Sequence, residues 1–262
     1  MKFSFTPIGF LKCNERFKAE QPRQGIFCEN SGVIELEKHK NYEQALKDLA
    51  GFERIWLVFV FDRNENWKPL VQPPFGSQKK RGVFATRSPH RPNNIGLSCV
   101  TLEHISGREL FIRNFDLLDN TPILDIKPYI PVADSFPASK TGWLNNSVEN
   151  IYNITINSEV FTEKYLFIKE ICALDLYNFC RTQLANNPEN LRRKRLKCLD
   201  EKNRIWEISC RTWRVQFTVN KAEKQIYLND IKSNYSEKEA HDLSNDPYKE
   251  KEFHIKYFTK FS

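Results

Sequence analysis

Glycine is scarce in this chain: nine residues, at 9, 25, 32, 51, 76, 82, 96, 107 and 142, with no two spaced as G-x-G. That excludes the usual dinucleotide fingerprint and the phosphate-cradling P-loop, so a Rossmann-type cofactor site is not expected. The seven cysteines (13, 28, 99, 172, 180, 198 and 210) contain no C-x-x-C pair, and the five histidines no H-x-x-x-H pair. Neither a disulfide framework nor a tetrahedral zinc site is indicated, and no protein metal site is expected. The longest apolar run, Ile55 to Phe61, spans seven residues, against the roughly 20 needed to cross a bilayer. No transmembrane helix is therefore expected. Residues Met1 to Pro7 alternate polar and apolar and lack the apolar core of a signal peptide, so a cytoplasmic location is expected.

Acidic residues are missing where they would matter most. Between Asn66 and Leu102 the chain carries Lys68, Lys79, Lys80, Arg81, Arg87 and Arg91 without one Asp or Glu. The run from Arg81 to Gly96 reads as a strand followed by a Pro-punctuated loop, and it brings three guanidinium groups together. Guanidinium forks bind phosphates and carboxylates in two-pronged geometry, so an anion is expected to dock there. A second basic zone, residues 181–214, holds ten basic residues against four acidic ones. The net charge of +7 suits an acidic partner. Interleaved with Trp206 and Trp213, this second zone fits contact with a phosphate backbone through Arg192, Arg193, Lys194 and Arg195, both tryptophans being core.

With 40% hydrophobic and 13% aromatic residues among 262, the chain suits two unequal globular domains. Short β-branched and aromatic runs from Ile55, Leu97 and Leu110 dominate the first half, which predicts a closed or nearly closed β-barrel. One helix interrupts them, over Tyr42 to Ala50, with Gly51 as its left-handed C-terminal cap. Pro131 to Asn150 has linker composition. Beyond it, helical spacing at Leu174 to Leu184 and strands at Ile205–Cys210, Trp213–Val219 and Gln225–Ile231 predict a smaller α+β domain. The fold is thus read as mainly β, with domains at 1–144 and 145–234. A C-terminal extension, 235–262, reads as an appended helix or a loosely held tail.

Three motifs follow in order: Pro22-Arg23-Gln24; Gly82-Val83-Phe84-Ala85-Thr86-Arg87-Ser88 leading to Arg91-Pro92-Asn93-Asn94-Ile95-Gly96; and Asp119-Asn120-Thr121-Pro122-Ile123-Leu124-Asp125-Ile126-Lys127-Pro128-Tyr129. Their order and wording resemble the TrmO (TsaA-like, YaeB) family of S-adenosyl-L-methionine-dependent tRNA methyltransferases. The resemblance covers residues 1 to about 144 closely and continues more loosely through Thr212-Trp213-Arg214-Val215. Asn94 stands where the family usually has Pro, and Asn120 where it usually has Gly. Asn120 keeps a left-handed turn open, because Asn tolerates that backbone.

The resemblance implies that Pro22, Arg23, Gln24, Phe61, Asp62, Arg87 and Leu97, with the loop of Asp119, Asn120, Thr121, Pro122, Ile123, Leu124 and Asp125, surround S-adenosylmethionine in a single-sheet barrel. The residue types agree: a sulfonium favours carboxylates and aromatic faces, and arginines favour a carboxylate or an RNA anion. The family reaction methylates N6 of threonylcarbamoyladenosine, just 3′ of the anticodon, and the family implies a homodimer. Arg91 is expected to hold the threonine carboxylate, and Asp125 or a water to take the proton. Lys79, Lys80, Arg81 and Arg91 are expected against the tRNA anticodon stem-loop. Without the resemblance, the residues leave two other readings open: a barrel that binds RNA or a nucleotide without chemistry, and a metal-dependent hydrolase using Asp62, Asp119 and Asp125.

Overall fold

Buried and half-buried residues alternate along Arg54–Val60, turning Ile55, Leu57 and Phe59 to one face. This two-residue period is what a strand covered on one side requires. The computed structural model describes residues 3–17, 25, 30–73, 79–144, 151–185, 188–191, 193–242 and 244–261. The chain divides into two units, Met1–Val148 and Glu149–Ser262.

The first unit carries β1 (Gly9–Cys13), β2 (Ser31–Leu36), the short helix α1 (Tyr42–Ala45), β3 (Arg54–Val60), β4 (Leu70–Val71), β5 (Arg81–Gly82), β6 (Ile95–Ser106), β7 (Glu109–Arg113), β8 (Pro122–Pro128) and the short helix α2 (Pro131–Asp134). Six strands close a barrel in the order β1-β2-β7-β6-β3-β8, as the sequence leads one to expect. Every neighbouring pair in it is antiparallel. Its interior is filled by Leu11, Ile34, Ile55, Leu57, Leu110, Ile112, Phe115 and Ile123, all fully buried. Each such side chain contributes about 1.5–3 kcal/mol. Phe59 faces Gly96 across β3 and β6, and a Cβ there would lie 2.3 Å from the Phe59 ring. Only glycine admits that ring.

Antiparallel closure has a consequence for function. The ends of β1, β3 and β7 and the starts of β2, β6 and β8 all lie at one end of the barrel. The connections 61–94 and 114–121 therefore emerge side by side. The expected helix over Tyr42 to Ala50 is instead the four residues of α1, followed by a separate 3-10 turn at Leu49–Gly51. Asp48, at φ 66°, breaks the run, and Asn41 gives α1 no side-chain cap. So short a helix cannot offset the cost of nucleation by itself. Gly51 is not left-handed; among the described glycines only Gly107 and Gly142 have positive φ. Part of the stretch read as linker packs on the barrel: Trp56 Nε1 donates to Asp134 Oδ2 at 3.1 Å, and Trp143 Nε1 to the Ala85 carbonyl at 2.9 Å.

The second unit holds β9 (Asn153–Ile156), α3 (Glu159–Cys172), α4 (Leu176–Leu184), β10 (Leu196–Asp200), β11 (Ile205–Cys210), β12 (Trp213–Asn220), β13 (Gln225–Ser233), α5 (Glu237–His241) and α6 (Lys251–Phe261). Its sheet runs β10-β11-β12-β13-β9, with only β13 and β9 parallel. Ser158 caps α3 through the Phe161 amide, and Asp175 caps α4 through that of Asn178. Phe161, Tyr165 and Ile168 of α3 pack with Phe179 of α4 and with Trp206, Trp213 and Phe217 of the sheet. Both tryptophans are core residues. The last segment is neither loose nor merely appended, because α6 puts Tyr257 into the same core and bonds it to the Ile231 carbonyl at 2.6 Å. Beside it, Glu250 pairs with Arg211 at 2.8 Å and accepts from the Thr212 hydroxyl. His254, fully buried, contacts the same hydroxyl at 2.7 Å and stacks on Trp213.

Candidate functional site

At the shared barrel end, the two ends of the 61–94 connection are zipped together by side-chain amides. Asn94 Nδ2 donates to the Asn64 carbonyl at 2.6 Å, and Asn64 Nδ2 to the Pro89 carbonyl at 3.0 Å. The Phe61 amide bonds the Asn94 carbonyl at 2.8 Å. This fixes Phe61 and the exposed Asp62 beside the arginine loop. Arg63 then reaches the other way, donating to the Arg16 carbonyl and, at 2.7 Å, to the Asp119 carbonyl. One guanidinium thus ties the Asp62 turn to the Asp119 turn.

The Asp119 turn is built by its own side chains. Asp119 Oδ1 accepts from the Cys13 amide at 3.1 Å, and Thr121 Oγ1 donates to the Leu118 carbonyl at 2.7 Å. Asn120 sits at φ 63°, the left-handed conformation that its residue type admits. Its side chain meets Lys12 Nζ at 3.2 Å. Pro122 opens β8, Ile123 is fully buried, and Leu124 occupies a bulge between the pairs Phe59–Ile123 and Val58–Asp125. The turn therefore offers solvent mainly its backbone and Asn120.

Within the arginine loop, β5 is only two residues long and is followed by a 3-10 turn at Val83–Ala85. Arg91 Nη1 bonds the Thr86 carbonyl at 2.9 Å and the Val83 carbonyl at 3.3 Å. Its guanidinium lies 5.7 Å over the Phe84 ring. Arg81 covers the Trp143 ring at 5.3 Å. Arg87, Lys79 and Lys80 are exposed. Leu97, on the outward face of β6, is 55% exposed.

Asp116 belongs to this end and was not singled out from the sequence. The buried Ser98, facing into the barrel from β6, donates its hydroxyl to Asp116 Oδ1. Burial pushes the Asp116 carboxyl up, an effect that the Ser98 hydrogen bond and the Arg87 guanidinium oppose. Its signal in the sequence was its place three residues ahead of Asp119. Asn30 holds the same stretch, exchanging two bonds with the backbone of Phe115 at 3.0 and 3.1 Å. Gly25 lies so close that a Cβ would fall 2.0 Å from the Asn114 carbonyl oxygen.

Asp125 lies further along β8, where its carboxylate pairs with Lys127 at 2.7 Å. It lines a cavity of about 410 Å³ with Tyr42, Leu46 and Ile126. Among the described residues no hydrogen bond or ion pair joins it to Arg91. Pro22, Arg23, Gln24 and Arg192 lie outside the described residues. Asp62, Asp119 and Asp125 are not gathered: among the described residues no three His, Cys, Asp or Glu side chains are placed to share a metal ion. No described helix is long and apolar enough to cross a membrane.

In the second unit the basic zone is less exposed than its charge count suggests. Arg193 donates to the Gln183 carbonyl, Arg211 pairs with the buried Glu250, and Arg214 bonds the Arg211 and Trp213 carbonyls at 3.3 and 3.0 Å. Lys194 and Arg195 remain exposed. Three of the ten cations thus hold the fold.

The family model for the N-terminal domain of tRNA-methyltransferase O matches residues 11–135. The tRNA (adenine(37)-N6)-methyltransferase of Escherichia coli K12 is 31% identical over 233 residues, 86% of this chain and 97% of that protein. The mouse protein of the same name is 43% identical over 134 residues, 49% of this chain. The match spans only 31% of that longer relative. Among solved structures, that of TrmO from Pseudomonas aeruginosa superposes with a TM-score of 0.63 at 27% identity, over 89% of this chain and 99% of that one.

Proposed function

Because the chain belongs to the tRNA-methyltransferase O family, we propose that it is an S-adenosylmethionine-dependent methyltransferase acting on N6 of an adenine in tRNA. The observation that carries this reading is convergence: the segments around Phe61, Arg87 and Asp119 meet at one barrel end, bound to one another by Asn64, Asn94 and Arg63. We further propose that the acceptor is threonylcarbamoyladenosine in the anticodon stem-loop, and that the enzyme is a cytoplasmic homodimer. The exposed Val132 and Phe136 beyond β8 support self-association.

The residues present suit the cofactor. Phe61, Asp62 and Asp116 supply an aromatic face and carboxylates for a sulfonium, and Arg87 suits a carboxylate. Pro22, Arg23, Gln24, Leu97 and the turn 119–125 complete the proposed surround. When bound, S-adenosylmethionine supplies an electrophilic methyl group.

The chain's own residues have two tasks. The N6 nitrogen of the acceptor bears a carbonyl substituent and is a poor nucleophile until its proton leaves. Arg91, whose Nη1 is fixed by two loop carbonyls, holds the threonine carboxylate with its remaining donors and so orients that nitrogen. For the proton we assign Asp116, directly or through a water, in preference to Asp125. Burial keeps Asp116 more basic than an ordinary carboxylate, and it lies in the 114–121 connection at the shared barrel end, whereas Asp125 lies further along β8 in the cavity lined by Tyr42, Leu46 and Ile126. Lys79, Lys80 and Arg81, with Lys194 and Arg195, provide phosphate contacts. Incubation with labelled S-adenosylmethionine tests the reading. Label is expected to enter native tRNA, and tRNA left unlabelled by an enzyme that binds the cofactor would leave only a binding module.

A further inference from the structure

Phe84 is 76% exposed, in the middle of a motif whose neighbours are held rigidly. Val83, just before it, is buried at 2% exposure and anchors the turn. Thr86 returns two bonds to the Val83 carbonyl, from its amide at 3.1 Å and from its hydroxyl at 2.8 Å. Trp143 fixes the Ala85 carbonyl. Arg91 binds the carbonyls on either side of the turn and lays its guanidinium over one face of the Phe84 ring at 5.7 Å. The ring is thus presented on a braced turn, one face against a cation and the other open to water.

An apolar ring so exposed contributes little to folding, and its surroundings say what it meets. Lys79, Lys80, Arg81 and Arg87 flank it, and no acidic residue lies between Asn66 and Leu102. A partner must carry negative charge and a flat apolar face together. Single-stranded RNA does both, since its unstacked bases lie on aromatic rings and arginine planes while its phosphates meet cations. We propose that Phe84 is a stacking platform for an unstacked base of the tRNA anticodon loop, with Arg91 bracing the ring from behind. This rests on the tRNA reading above and adds a named base-contacting residue to it.

The test uses Phe84→Leu, which keeps an apolar side chain without a π-face, and Phe84→Trp, which keeps the π-face. The ring is exposed, so both variants are expected to unfold at the wild-type temperature. Binding of an anticodon stem-loop RNA is expected to weaken about 5- to 150-fold in Phe84→Leu, the range for losing one base–aromatic stack, and to persist in Phe84→Trp. S-adenosylmethionine affinity is expected to stay unchanged in both. Indole emission of Phe84→Trp, corrected for the wild-type protein, is expected to be quenched by the RNA and not by inorganic polyphosphate.

Wild-type RNA affinity in Phe84→Leu would overturn the proposal, as would a loss confined to cofactor binding, which would make Phe84 a wall of the cofactor site. The two readings fail separately. A wild-type enzyme that methylates tRNA while Phe84→Leu keeps the same KM for tRNA sinks the platform alone. Quenching by RNA in a protein that transfers no methyl group sinks the activity and leaves the platform standing.

Discussion

Replacing Ser98 with alanine removes one hydroxyl from the inside of the barrel wall. Ser98 is 6% exposed and its hydroxyl donates to Asp116 Oδ1, so no solvent is at hand to replace it. A hydrogen bond to a charged group contributes about 1.5–3 kcal/mol. At about 2–4 °C per kcal/mol for a domain of this size, the unfolding midpoint of the first unit is expected to fall by about 3–12 °C at mildly alkaline pH.

The deficit is expected to narrow in acid, and the sign follows from burial. The folded-state pKa of Asp116 lies above its ordinary value, and losing a donor to the charged form raises it further. A group with a raised folded pKa holds its proton more tightly in the native state. The variant therefore regains relative stability as pH falls through that raised pKa, where Ser98 matters less. If Asp116 must be ionised to take the proton from N6, the acidic limb of kcat/KM moves to higher pH in the same variant. Calorimetric unfolding at two pH values and a pH–rate profile for methyl transfer read both effects. Unchanged stability would refute the hydrogen bond; an unmoved acidic limb with the expected loss of stability would refute Asp116 as proton acceptor.

The remaining expectations concern other residues. Arg91→Ala is expected to lower kcat/KM for tRNA by about 10- to 150-fold, the worth of one charge-assisted bond, and unchanged efficiency would show that Arg91 does not hold the substrate. Reversing Lys194 and Arg195 to Glu is expected to weaken tRNA binding and to flatten the salt dependence of log K by about 0.9 per lost phosphate contact, with cofactor affinity unchanged; an unaltered salt slope would remove the second unit from the RNA interface. His254 has its pKa pushed down by burial from 6.5 to about 4, so it favours the native state above pH 6.5 and that contribution fades as pH falls toward 4, by about 3 kcal/mol in all. His254→Phe is expected to flatten the pH dependence of unfolding of the second unit across this window; parallel curves for variant and wild type would count against it.

Much of the fold was legible because its strands alternate. Ile55, Leu57 and Phe59 announce a buried face, and the apolar runs at β11 and β12 do the same for the second sheet. Helix α3 was missed, although Phe161, Tyr165 and Ile168 are spaced four and three apart, because charged residues dilute its face. Helix α1 was overextended because apolar spacing says nothing of the left-handed Asp48 that cuts it. At the site, motif order gave the segments but not their joints. The reach of Arg63 to Asp119 spans 56 residues, and that of Ser98 to Asp116 depends on which face of β6 turns inward. Nor does a charge count reveal that Arg193, Arg211 and Arg214 spend their donors on backbone carbonyls and Glu250.

The most direct test is mass spectrometry of nucleosides after the purified protein meets labelled S-adenosylmethionine with native tRNA and with an unmodified transcript. One labelled methyl group is expected on N6 of threonylcarbamoyladenosine from the native tRNA, with none from the transcript. Label on another nucleoside, or equal labelling of both tRNAs, would contradict the acceptor proposed here.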